Sequence, residues 1–121
     1  MNTNTVTDFQ ADRYIELWNT NEEEVRRATI RSLWADDGWH VAPSIAVRGY
    51  EELEARVARS HQRWIVEEHC RFVKRDAQSH HNAVRIVWEM VDSRGNVESV
   101  GSEILVLNDS GKITSAYQFL D

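Results

Sequence analysis

One cysteine, one proline and five glycines are all that 121 residues contain of these three types. The lone thiol, Cys70, excludes an internal disulfide and a thiolate metal cluster. Its place in the strand-like run His69-Cys70-Arg71-Phe72 predicts a buried, inert side chain. No phosphate-binding loop, dinucleotide fingerprint or nucleophile elbow is present, and the glycines fall where turns or close strand packing want them. No cofactor is expected.

Basic residues are also in deficit. Fourteen Lys and Arg against 20 Asp and Glu leave a net charge of −6, the wrong sign for a phosphate-binding surface, so nucleic acid is not an expected partner. Long apolar runs are missing: stretches such as Ile104 to Leu107 last only a few residues, which predicts no membrane span and no secretory segment. The expectation is a soluble, cytoplasmic chain folded as a single domain over residues 1–121.

Tryptophan is what the sequence has in excess. Trp18, Trp34, Trp39, Trp64 and Trp88 each bring a large apolar area with one N–H donor, and build either an aromatic core or a pocket walled by indoles.

Residues 1–5 are polar and patternless, which predicts a frayed start. Phe9, Tyr14, Leu17 and Trp18 then recur at helical steps, giving a first helix from about Thr7 to Asn19 with Thr7 or Asp8 as its cap. Asn21 followed by Glu22, Glu23 and Glu24 starts a second helix, which runs to about Trp34 and ends at Asp36-Asp37-Gly38. Trp39 to Ala42 reads as a short strand stopped by Pro43, with Ile45 to Val47 as its partner; His40 and Ala42 share one face. A third helix, from Glu51 to about Ile65, carries Leu53, Val57, Ser60 or His61, and Trp64 on one stripe. Its Glu and Arg residues form a solvated face.

From Glu68 the period changes to two. Strands are expected near 68–76, 83–92, 97–108 and 112–121, joined by polar turns into an antiparallel meander. Helices followed by a meander make an α+β domain with its helices on one face of the sheet.

This order of elements has recurring local marks: Trp34-Ala35-Asp36-Asp37, the strand ending at Pro43, Arg48-Gly49 leading into the third helix, and Gly111-Lys112-Ile113 opening the last strand. It resembles the nuclear transport factor 2-like superfamily, in its SnoaL-like and ketosteroid-isomerase-like branches, over Tyr14 to Asp121. The resemblance implies a cone: three N-terminal helices packed on a curved, mainly antiparallel sheet, with a deep pocket at the open end and a homodimer formed through the outer sheet face. It also implies a hydrophobic small molecule as partner.

In ketosteroid isomerases a tyrosine and a protonated aspartate donate to an oxyanion while a second aspartate shuttles the proton. Carried over by position, Tyr14 matches the tyrosine and Glu103 the donor carboxylate. The shuttling carboxylate stands directly before the proline, and here that residue is Ala42, which takes no proton. His40, on the same strand face, is the one titratable substitute, set against a packed or solvent-edge histidine as the plain alternative.

Glu103 alternates with Gly101, Leu105 and Leu107, so it points inward, where a carboxylate needs either a proton or a partner. The expected catalytic set is Tyr14, His40 and Glu103. Trp18, Ala42, His61, Trp64, Trp88 and Gln118 are expected to line the pocket, and no metal site is expected. Limonene epoxide hydrolases, another branch, use an Asp-Arg-Asp trio where Ile86, Trp88 and Gln118 fall here, so that mechanism is not implied. His80-His81 reads as a polar hairpin tip. The expected function is a small-molecule pocket, with isomerase, cyclase or dehydratase chemistry on a hydrophobic carbonyl compound. A non-catalytic ligand binder or a dimeric interaction module is the alternative.

Overall fold

The helical periods seen in the sequence become three helices whose buried side chains recur every three or four residues. The computed structural model describes residues 3–121, with side chains from position 8 onward. Helix α1 spans Thr3–Asn19 and buries Ala11, Tyr14, Ile15 and Trp18 along one stripe. It begins earlier than expected, so Thr7 and Asp8 lie inside the helix and do not cap it. Adding a turn to an existing helix is far easier than nucleating one, which carries weak formers such as Thr3 and Asn4 along. The expected frayed start is helical from Thr3, and its first two residues lie outside the described ones.

Helix α2 (Glu23–Leu33) opens without a side-chain cap. Asn21, the expected cap, is engaged elsewhere: its Oδ1 meets Nε2 of His61 at 2.9 Å, and its carbonyl, like that of Thr20, accepts from the buried Arg26. Helix α2 passes directly into strand β1 (Trp34–Ala42), so Asp36-Asp37-Gly38 lies in a strand and not at a helix end. The reason is local. Trp34 takes an extended backbone and is fully buried, while residues 35–38 arch out between the pairings Trp34 to Ile113 and Trp39 to Ser115. Gly38 sits in that arch, where a Cβ would stand 2.8 Å from the Ile113 carbonyl oxygen.

Strand β2 (Ile45–Arg48) pairs back on β1, and helix α3 (Tyr50–Ser60) buries Leu53, Val57 and Ser60. The expected single helix to Ile65 is interrupted in character: from His61 to Glu67 it continues as a π-helical turn. Strands β3 (Arg71–His80), β4 (Ala83–Val91), β5 (Val97–Leu107) and β6 (Ile113–Leu120) follow as the expected meander. Strand β3 starts later and runs farther than its period suggested, because a tight turn at His81-Asn82 closes the hairpin and His81 adopts a φ of 53°. Cys70 is buried just before that strand.

The sheet order is β2-β1-β6-β5-β4-β3, antiparallel except for the parallel pair β1 and β6, which the sequence reading did not foresee. Register shifts in β3/β4, β4/β5, β5/β6 and β1/β6 bend the sheet around the helices, and its edges stay open. The result is the expected α+β cone. Val84, Ile86, Trp88 and Met90 face its interior. Among the described residues no helix is long and apolar enough to cross a membrane.

Candidate functional site

The alternation of β5 sends Gly101, Glu103 and Leu105 to the concave face, and Glu103, 1% exposed, ends among three polar side chains. The Tyr14 hydroxyl donates to its Oε1 at 2.6 Å, Nε2 of His40 faces the same oxygen at 3.3 Å, and the Trp88 indole N–H donates to Oε2 at 3.4 Å. Helix α1 supplies the tyrosine, β1 the histidine and β4 the indole, so three elements converge on a carboxylate carried by a fourth, β5. Burial foremost, then the Glu103 charge and hydrogen bond, hold the Tyr14 hydroxyl well above the usual tyrosine range.

A cavity of about 550 Å³ opens beside this cluster, a size typical of small-molecule sites. Tyr14, Glu103 and Trp88 lie on its wall, as do Trp18, Ala42, Trp64 and Gln118. Two of the expected site residues do not. His40 is 0% exposed and stands behind Glu103, its Nδ1 without a partner and its ring 5.2 Å from that of Trp18. His61 turns toward the loop between α1 and α2, where it bonds Asn21; burial and the nearby Arg26 lower its pKa. The border position of His61 on the α3 stripe thus leads out of the cavity, not into it.

The fold of this chain superposes on a provisional isomerase of the SnoaL-like family from Agrobacterium tumefaciens with a TM-score of 0.88 and 26% identity, over 97% of this chain and 98% of the other. This chain has the nuclear transport factor 2-like fold, and its likeness is to SnoaL-like proteins. A SnoaL-like protein of unknown function from Burkholderia thailandensis shares the fold at a TM-score of 0.75 and 18% identity, over 100% and 99% of the two chains. So does a provisional SnoaL-like polyketide cyclase from Jannaschia, at 0.73 and 16%, over 98% and 87%. No protein-family model and no curated protein matches the sequence.

Phe72 and Arg56 are among the wall residues that escaped the sequence reading. Phe72 packs edge-on against Trp88 with ring centroids 5.4 Å apart. Arg56 had been placed on the solvated face of the third helix, yet it lines the cavity. The spacing Leu53, Arg56, Ser60 is itself a helical stripe and was the available signal. At the expected polar hairpin tip the left-handed backbone of His81 brings its Nδ1 to 3.2 Å from that of His80. Among the described residues no group of three or more His, Cys, Asp and Glu side chains is placed to hold a metal ion.

Proposed function

We propose that this SnoaL-like chain is a cofactor-free enzyme of the isomerase, cyclase or dehydratase type, acting on a hydrophobic carbonyl compound bound in the cavity. The observation that carries the reading is Glu103: a buried carboxylate that reaches the cavity wall with Tyr14, Trp88 and His40 arranged around it.

Ala42 lies on the same wall without a titratable group, so the proton falls to Glu103. Glu103 takes it from the carbon next to the carbonyl; that C–H electron pair moves toward the carbonyl oxygen, and a new O–H forms on the carboxyl. Tyr14, released from the carboxylate as it is neutralised, donates to the developing oxyanion. His40 cannot reach the substrate from behind Glu103. Its part is to orient the carboxyl and share its proton.

Deuterium uptake by apolar ketones in heavy water tests this without knowledge of the true substrate. The wild-type chain should accelerate exchange at the carbon beside the carbonyl, and Glu103→Gln should lower that rate by about a hundredfold or more. The second reading, a non-catalytic ligand binder, is favoured by Ala42 and predicts that such compounds bind with no exchange in either protein.

The proposal includes a homodimer. Trp39, Tyr117 and Phe119, exposed by 37%, 41% and 55%, stand on the convex face of β1 and β6, an aromatic surface suited to a second copy of the chain.

A further inference from the structure

Arg56 lacks the carboxylate partner that several arginines of this chain hold. Arg27 and Arg31 pair with Glu54, Arg48 with Asp37, and Arg63 with Glu68. Arg56 makes no ion pair among the described residues, and its Nε is buried without a hydrogen-bond partner. Its guanidinium lies 5.8 Å from the centre of the Trp18 ring. That contact engages the positive charge with the ring, and no hydrogen bond among the described residues takes the Arg56 N–H donors.

The position follows from the helix. Arg56 comes three residues after buried Leu53 and four before buried Ser60, so it leaves α3 beside the inner stripe, and both Arg56 and Ser60 line the cavity. Directly after Ser60 the helix widens into its π-helical turn, a feature often found at functional sites. Burial foremost pushes the Arg56 pKa below the usual arginine value, against the opposing pull of Tyr14 and Glu103.

Among the described residues lining the cavity, Arg56 is the one cation. Of the two carboxylates on the wall, Glu103 is engaged by Tyr14 and Trp88, and Glu98 forms no ion pair with Arg56. A planar fork of free donors matches a carboxylate bidentately. A phosphate dianion would meet one cation against two carboxylates and is the poorer fit.

We propose that Arg56 binds a carboxylate of the ligand, so that the cavity takes an apolar carboxylic acid whose body lies against Ile15, Phe72, Trp88 and Leu120. The proposal rests on the reading of this cavity as a small-molecule site and names the ligand class. A keto acid held this way turns its apolar, carbonyl-bearing part toward Tyr14 and Glu103.

Calorimetric titration of the full chain with benzoylpropionate and naphthylacetate, each paired with its methyl ester, is the test. The acids should bind about tenfold or more tightly than their esters, in keeping with a charge-assisted pair. Arg56→Gln should bring each acid down to the affinity of its ester. Arg56→Lys, which keeps the charge but not the fork, should retain a reduced preference, and it carries the test if Arg56→Gln does not fold. Equal binding of acid and ester, or a preference that survives Arg56→Gln, overturns the carboxylate proposal. So does failure of the acids to bind while ketones still exchange deuterium, in which case the enzymatic reading stands alone; no binding together with no exchange removes both.

Discussion

Tyr14 donates its hydroxyl hydrogen to Glu103 across 2.6 Å, joining the first helix to the fifth strand over 89 residues of sequence. Both groups are buried, so the bond is part of the core as well as of the cavity wall. Its removal therefore has a stability signature separate from any effect on chemistry.

Tyr14→Phe should destabilise the fold by about 1–3 kcal/mol at neutral pH, because the carboxylate loses a buried donor. The wild-type advantage should also depend on pH. Folding raises the Tyr14 pKa above its ordinary value of 10.0, so the folded chain keeps a proton that the unfolded chain releases. The stability from Tyr14 is complete below about pH 10 and is lost as pH rises from there toward the folded value. Urea unfolding of both proteins from neutral to alkaline pH measures this. A wild-type advantage that grows above pH 10 would contradict the assignment.

Gly101 lies opposite Trp88 in the β4/β5 pairing. A Cβ there would overlap the Trp88 indole and stand 2.8 Å from the backbone oxygen of Phe119. Gly101→Ala should destabilise by about 1–3 kcal/mol through overpacking and move the indole away from Glu103. The Trp88 indole N–H resonance should shift in the variant. An unchanged resonance with unchanged stability would show that the strand absorbs the methyl group.

Asn19, buried at the end of α1, holds the start of β3 with two bonds. Its Nδ2 donates to the Phe72 carbonyl at 2.8 Å, and its Oδ1 accepts from the Phe72 amide at 2.8 Å. Asn19→Ala should cost about 1–3 kcal/mol by leaving both backbone groups unpaired. Hydrogen exchange at the Phe72 amide is the local check, and the rate should rise more there than in β5.

The proposed homodimer is tested by sedimentation equilibrium. Wild type should show twice the chain mass of 14.1 kDa, and Phe119→Glu, which buries a charge in the aromatic contact, should shift the population toward single chains. A single-chain mass for wild type at micromolar concentration would end that part of the proposal.

Periodic signals were legible in the sequence because they depend only on local spacing. The stripe Tyr14 and Trp18, the inward set Val84, Ile86, Trp88 and Met90, and the inward turn of Glu103 all came from the 3.6 and 2.0 repeats. Helix ends were less legible. Asn21 has the chemistry of a cap, but His61 engages its side-chain oxygen, and that partner is in place only once the chain is folded.

The sequence by itself determined the elements and their order, the face each strand turns inward, and the absence of a titratable group at Ala42. Tertiary structure decided which polar groups meet. His40 and Ala42 share a strand face, yet the curvature of β1 buries His40 behind Glu103 and leaves Ala42 on the cavity. Arg56 has the composition of a solvated helix face, and only the packing of α3 against α1 and the sheet turns it toward the cavity. Spacing fixes direction relative to one element's own axis. Contact between elements depends on crossing, bulge and register, which short-range spacing does not encode.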